Sequence, residues 1–182
     1  PIIEASNSQP FSHVHNPGIA VGGHCIPVYP KFYLSTDSEA TLPASSIAVN
    51  ESMPKRAVHR LFGSGKDALA GKKVVVLGAA YRNGVKETAF SGVFPLVEEI
   101  EQLGGTAVVH DPLYSDEELL TLGLTGFQLG SDCDAAIVQT DHEIYMDLTS
   151  SDLPGAEIIF DGRGIVDKAK LSPIKVIVLG VG

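Results

Sequence analysis

The sequence predicts an α/β protein: a loop and a long helix over residues 1–65, then a doubly wound parallel sheet domain over residues 66–182. Three observations predict it. First, the runs VVVL (74–77), AVVH (107–110), AAIV (135–138), EIIF (157–160) and VIVL (176–179) are short, β-branched and almost continuously apolar. A sheet with one wet face would alternate polar and apolar residues, so such strands belong to a parallel sheet covered on both faces. Second, segments of helical period lie between the runs. Third, the pattern before Lys72 is different in kind, being rich in Pro, Gly, His and aromatic residues.

Taken in order, residues 1–36 have a short start at PIIEAS and little periodicity beyond it, which predicts an irregular loop held by neighbouring structure. Loops of that sort often carry function. The stretch PASSIAVNESMPKRAVHRLF (43–62) predicts a helix with Ile47, Met53, Val58, Leu61 and Phe62 on one stripe. Pro54 has no N–H to donate, so it either kinks this helix or opens a second segment. The linker GSGKDALAGK (63–72) carries the domain boundary, between residues 65 and 66. In SGVFPLVEEIEQLGG, Val93, Leu96, Val97, Ile100 and Leu103 share a face and Gly104 stands where a C-terminal cap is needed. Ser115 with Glu118, and Thr140 with Glu143, both have the spacing of a capping box.

Composition narrows the function. The 182 residues are 44% hydrophobic, enough for a real core. Thirteen basic against 22 acidic residues give a net charge of −9 with no Lys/Arg cluster, which argues against duplex nucleic acid and anionic membrane surfaces as partners. A phosphorylated small molecule remains compatible, since backbone amides and one or two arginines hold it locally. No apolar run approaches a membrane span, and the first residues lack the basic start and apolar middle expected of a signal peptide. The two cysteines, Cys25 and Cys133, make no disulfide framework and suit a reducing cytoplasm. The chain opens on Pro1 and ends on the strand-like VIVLGVG, so it is expected to be a piece of a longer protein.

The first predicted strand runs into GAAY (78–81), where a dinucleotide fold would show G-x-G-x-x-G. Ala80 stands in place of the second glycine, whose role is to let the backbone approach a pyrophosphate. Asp111, at the end of the second strand, is where an acid would hold a ribose hydroxyl. With the motif broken, a glycine that simply turns the chain from strand to helix is the better reading of Gly78. The crevice at the strands' carboxyl ends, near Tyr81, Arg82 and Asp111, could still take a different nucleotide.

In GGHCIPVYP (22–30), Cys25 follows a glycine pair and precedes Pro27. Three readings compete. Free cysteine is among the most buried residue types, but this setting suggests a shaped turn. His13, His15, His24 and Cys25 have zinc-binding chemistry, yet their spacing matches no strong ligand pattern and adjacent ligands would be cramped. A nucleophile needs a thiol exposed on a rigid loop with its thiolate stabilised by amides or a cation. On chemistry alone the nucleophile and the core residue stand level.

The segment HNPGIAVGGHCIPVYP resembles the substrate loop of the UDP-glucose/GDP-mannose dehydrogenase family, closest to its UDP-N-acetylmannosamine type. VNESMP (49–54) resembles that family's N-x-x-M-P helix and VVVLGAAYR (74–82) the start of its C-terminal, Rossmann-like UDP-binding domain. VHDPLY, QTDHEIYMDL and FDGRGIV follow as later landmarks in the same order. The resemblance implies three domains in the whole protein, of which this chain would hold the end of the central helical, dimer-forming domain and all of the UDP-sugar-binding one. It implies NAD as cofactor, bound by an N-terminal domain outside this chain, so the chain alone should lack turnover. It implies oxidation of a UDP-sugar's C6 alcohol to a carboxylate in polysaccharide biosynthesis, by a cytoplasmic homodimer. Cys25 would be the catalytic thiol, passing through a thiohemiacetal and a thioester. Asn16, Gly22, Gly23, Tyr81 and Arg82 would contact the substrate, with amides of the Asn16–Gly23 loop serving the diphosphate.

Departures from the pattern bear on this. Tyr29 replaces an aspartate four residues after the cysteine, and tyrosine is a poor general base near neutrality. Ala20 replaces a glycine, a mild change where φ is negative. The family's K-x-x-x-D-D-x-R-x-S becomes Arg82, Lys86, Glu87, Ala89 and Ser91, so an arginine is lost at Ala89. Arg82 reads equally as a phosphate contact or a solvated residue, and Arg163 equally as a site residue or an ion pair with Asp161. His13 and His15 read as loop packing, and Cys133, between two aspartates, as a structural thiol. Two functions are carried forward, a nucleotide-sugar 6-dehydrogenase part and a nucleotide-sugar-binding and dimerisation module without redox activity, with a zinc loop as the third.

Overall fold

At the five apolar runs, a computed structural model, which describes residues 2–180, has strands β1 (Lys73–Leu77), β2 (Thr106–His110), β3 (Ala135–Val138), β4 (Ile158–Asp161) and β5 (Lys175–Val178). They pair in the order β2-β1-β3-β4-β5, all parallel, with Val76 opposite Val109 on one side and Ile137 on the other. The order reverses direction between β1 and β3, and that switch point opens a crevice beyond the strands' carboxyl ends. The expected ending VIVLGVG runs into residues 181–182, which lie outside the described residues, as does Pro1.

The strands are apolar on both faces because both are covered. Val74 and Val76 pack with Leu96 and Ile100 of α4 (Val93–Gln102) and with Ala57 and Val58 of α3 (Thr41–Phe62). Val75 and Leu77 point the other way, onto Tyr145, Leu148, Leu153 and Leu171. That second face is closed by two 3-10 turns (Glu143–Asp147 and Ser150–Asp152) and irregular chain. Each fully buried Leu or Ile contributes about 1.5–3 kcal/mol over its exposed state. Two shorter helices, α1 (Ile2–Ser6) and α2 (Tyr29–Thr36), precede α3, and α5 (Asp116–Thr121) follows β2.

Several expectations change. Residues 1–36 are not simply a loop, because α2 occupies 29–36. Pro30 sits in its first turn, where the missing N–H has no intrahelical partner anyway. None of its residues is buried, so no apolar stripe announces it. α3 runs unbroken through Pro54, which is buried and opens no second segment. Its stripe narrows to Pro54, Ala57 and Val58, with Leu61 and Phe62 against the core, while Ile47 and Met53 are only half-buried. Ser115 and Glu118 form their capping box, the Ser115 N–H reaching Glu118 Oε2 at 2.8 Å. Thr140 and Glu143 do not, because the Thr140 hydroxyl donates to the Ala80 carbonyl. The second box belongs to Thr149 and Asp152.

One buried charge ties α3 to the sheet domain. Glu99 of α4, 6% exposed, accepts from His59 Nε2 at 2.6 Å and Lys55 Nζ at 3.2 Å, both on α3. Burial pushes the Glu99 carboxyl up, but the hydrogen bonds from His59 and Lys55 outweigh it and hold the group below its usual range.

Candidate active site

Residues Gly18–Gly23 cross the carboxyl ends of β4, β3 and β1 at contact distance. A Cβ on Gly18 would strike the Arg163 guanidinium, and one on Gly162 would strike Ile19, which is fully buried. A Cβ on Gly92 would stand 2.9 Å from Ala20 Cβ. Ala20 has no positive φ, so its replacement of glycine is accommodated. Val21 is clamped to α3 by Asn50, whose Oδ1 accepts from the Val21 N–H at 2.8 Å and whose Nδ2 donates to the Val21 carbonyl at 3.1 Å. A Cβ on Gly22 would lie 2.6 Å from Tyr81 Cβ and 2.9 Å from the Phe90 carbonyl. The Gly23 N–H donates to the Ala89 carbonyl at 2.7 Å.

Of the residues singled out from sequence, Gly22, Gly23 and Tyr81 therefore meet at one place. Cys25, just beyond, is exposed, which removes the core reading of its thiol. Arg82 is exposed with no ion-pair partner among the described residues. Asn16 is exposed in the loop leading to Gly18. His13 and His15 are exposed too, so they do not pack the loop: the chain there is irregular and outside the core. Among the described residues no three His, Cys, Asp or Glu side chains gather as metal ligands, which leaves the zinc reading without a site.

Asp111 takes the place a dinucleotide phosphate would need. Its Oδ2 accepts from the Ala79 N–H at 2.8 Å and the Ala80 N–H at 2.9 Å, the amides of the turn after β1. Oδ1 accepts from the Leu113 N–H at 2.8 Å, and His142 Nε2 lies 3.1 Å from Oδ2. Burial pushes this carboxyl up, yet His142 and the amides hold it below its usual range. A side chain on Gly78 would also run into Thr140. The residues present do not fit NAD at this turn, and Asp111 is a structural acceptor rather than a ribose ligand.

Arg163 pairs with Asp141 at 2.9 Å and not with Asp161, whose carboxylate is taken by the N–H groups of Arg163, Gly164 and Val166. Cys133 is buried, and desolvation, helped by Asp134, pushes its thiol up to about 11. Lys86 binds Glu118, so neither replacement at the former D-D pair is idle: Glu87 accepts from the Thr88 and Ala89 amides at 2.8 and 3.0 Å. Tyr29 is 65% exposed, its ring edge against Phe32 and its hydroxyl without a hydrogen-bond partner among the described residues.

Sequence reading placed Asn50 in a motif without a role, and it missed Gln139. Gln139 Nε2 donates to the Ala80 carbonyl at 3.1 Å and to Ser91 Oγ at 2.9 Å, beneath the point where Ala20 crosses. A buried glutamine directly after an apolar strand was the available signal. A cavity of about 570 Å³ lies behind the loop, between α2, α3 and the start of α4, with Val21, Pro27, Ile47, Asn50 and Phe94 on its wall. Cys25 is not on that wall.

A parallel Rossmann-like sheet whose carboxyl ends are crossed by a loop leading to an exposed thiol is a ligand-binding arrangement of the doubly wound α/β class. Residues 75–168 match the UDP-binding domain of the UDP-glucose/GDP-mannose dehydrogenase family, and the chain belongs to that family. It is 31% identical over 188 residues to the UDP-N-acetyl-D-mannosamine dehydrogenase of Pyrococcus horikoshii, covering 99% of this chain and 43% of that one. A second relative of that name, from Methanococcus maripaludis strain S2, is 27% identical over 172 residues, covering 91% and 40%. The structure of the UDP-N-acetyl-mannosamine dehydrogenase from S. aureus superposes with a TM-score of 0.71 at 26% identity, over 97% of this chain and 42% of that one. The chain thus spans about 40% of the length of the relatives it matches. Among the described residues no helix is long and apolar enough to cross a membrane.

Proposed function

We propose that this chain supplies the thiol and the UDP-sugar pocket of an NAD-dependent nucleotide-sugar 6-dehydrogenase, cytoplasmic and homodimeric, acting on a UDP-N-acetylmannosamine or UDP-glucose type of substrate. The observation that carries this is the Gly18–Gly23 loop laid over the sheet's carboxyl ends, with Cys25 exposed just past it. Loop amides and the unpaired Arg82 guanidinium would take the diphosphate, with Tyr81 and Asn16 beside it, and Cys25 would attack the sugar's C6 carbonyl. On this reading the chain divides at residues 65/66, into the end of a central helical domain and the UDP-sugar-binding domain. NAD would be held outside the turn that Asp111 fills.

UDP or a UDP-sugar is expected to raise the melting temperature of the chain, since a ligand at 100 times its Kd adds about 2.7 kcal/mol. A flat titration to millimolar UDP would overturn the pocket. The chain by itself is expected to form no NADH from any UDP-sugar and NAD+, and spectrophotometric NADH production would reverse that. A binding and dimerisation module without redox activity is the second reading, favoured by the unpartnered Tyr29 where an acid would stand and by the arginine lost at Ala89.

A further inference from the structure

We infer that His24 is the proton acceptor of the Cys25 site and that Glu87 is its positioning residue. The inference rests on the reading of Cys25 as the nucleophile. His24 Nε2 lies 3.4 Å from Glu87 Oε2, and no other charged side chain among the described residues is within hydrogen-bond range of the imidazole. Glu87 is itself fixed, its Oε1 accepting from the Thr88 N–H at 2.8 Å and the Ala89 N–H at 3.0 Å. The same segment holds the loop from the other side, the Gly23 N–H donating to the Ala89 carbonyl at 2.7 Å. The cysteine loop and the Glu87–Ala89 turn are thus stapled by one backbone bond and one side-chain bond, from adjacent residues of the loop to residues two apart in the turn.

Those contacts set the tautomer. The Ala89 amide, then His24 and the Thr88 amide, hold the Glu87 carboxyl below its usual range, so it is ionised near neutrality and can only accept. The proton of a neutral His24 therefore sits on Nε2, and Nδ1 keeps its lone pair. Glu87 fixes the imidazole in the form a general base needs. Tyr29 offers no such group, its ring set edge-on to Phe32 and its hydroxyl without a polar partner among the described residues.

The step this arrangement serves is hydrolysis of an acyl group on Cys25. Water adds to the acyl carbon and one of its protons passes to Nδ1 of His24. The C–S bond breaks with its electron pair leaving on sulfur, and the acid's remaining proton goes to that thiolate. The products are a carboxylate, the Cys25 thiol and an imidazolium, which returns its proton to solvent. No oxidant enters this step.

The test uses the chain as it stands, with p-nitrophenyl acetate as the acyl donor. Released p-nitrophenolate reports acylation, and intact mass followed over time reports loss of acetyl-Cys25. Cys133, buried and with its thiol pushed up to about 11, should stay unmodified and serve as the internal control. Loss of the acetyl group, followed from protein already acylated at Cys25, is expected to slow about tenfold or more in His24→Gln near pH 7, and its rate to become simply proportional to hydroxide. Glu87→Gln keeps a carbonyl for the two amides but loses the charge, and should give an intermediate rate, which Glu87→Asp restores in part. Acetyl-Cys25 that clears equally fast in His24→Gln overturns the proposal and leaves the nucleophile reading standing. Failure of Cys25 to acylate overturns both.

Discussion

Asp111→Ala is expected to lower the unfolding free energy by about 3–5 kcal/mol, the range for breaking a buried charged network by removing one member. The carboxylate is 3% exposed and is acceptor for three backbone amides and for His142, itself 2% exposed. Alanine leaves those donors buried and unpaired, and each such group carries its own desolvation penalty. For a chain of this size the loss reads as roughly 10 °C in melting temperature. Asp111→Asn keeps one carbonyl oxygen and should lose less, about 1–2 kcal/mol. The pH dependence follows from the direction of the shift. A carboxyl held below its unfolded value stabilises the fold above that value, about 3.9, and the contribution disappears as pH falls through the lower folded value. The gap between wild type and Asp111→Ala in urea midpoints should therefore be full at pH 6–7 and shrink below about pH 4. A gap below about 1 kcal/mol at pH 7 would mean that water replaces the carboxylate without loss.

Asp111 also shows where sequence reading stops. The strand VVHD predicts an acid at the end of β2, and the broken glycine motif predicts that the β1 turn does not hold a pyrophosphate. Their connection was not legible, because it depends on β1 and β2 being neighbours so that the acid reaches the amides of Ala79 and Ala80. The strands themselves were legible because burial on both faces makes their sequence apolar throughout. α2 was not, since a helix that buries none of its residues has no periodic stripe to read. Gly22, Gly23 and Tyr81 were reached through a resemblance, whereas Asn50, Gln139 and the His24–Glu87 pair act through partners 29 to 63 residues away. Arg163 was assigned the nearest acid, Asp161, but backbone amides claim that carboxylate and Asp141 is left for the guanidinium. Proximity along the chain is a weak guide once backbone donors compete.

Gly22→Ala is expected to weaken UDP-sugar binding about tenfold or more, a loss of about 1.4 kcal/mol, and to destabilise the fold by about 1–3 kcal/mol. The added methyl would meet Tyr81 Cβ at 2.6 Å and the carbonyl oxygens of Phe90 and Ala89 at 2.9 and 3.1 Å. None of these is the far end of a flexible side chain, so the loop must lift. Lifting it breaks the adjacent bond from the Gly23 N–H to the Ala89 carbonyl and withdraws the amides offered to the diphosphate. Gly23→Ala meets a different obstacle, Tyr81 Cε2 at 2.9 Å, at a φ of +89°. Removing the ring separates the two cases. Tyr81→Ala should relieve part of the Gly23→Ala defect and none of the Gly22→Ala defect, because its own Cβ remains in place. Gly84→Ala is the control: φ is +69° but nothing lies within 4 Å, so only backbone strain of about 1 kcal/mol is expected, with UDP affinity unchanged. Calorimetric titration with UDP measures all four. Wild-type affinity in Gly22→Ala would detach the loop's close packing on Tyr81 from ligand binding and move the diphosphate elsewhere on the crevice.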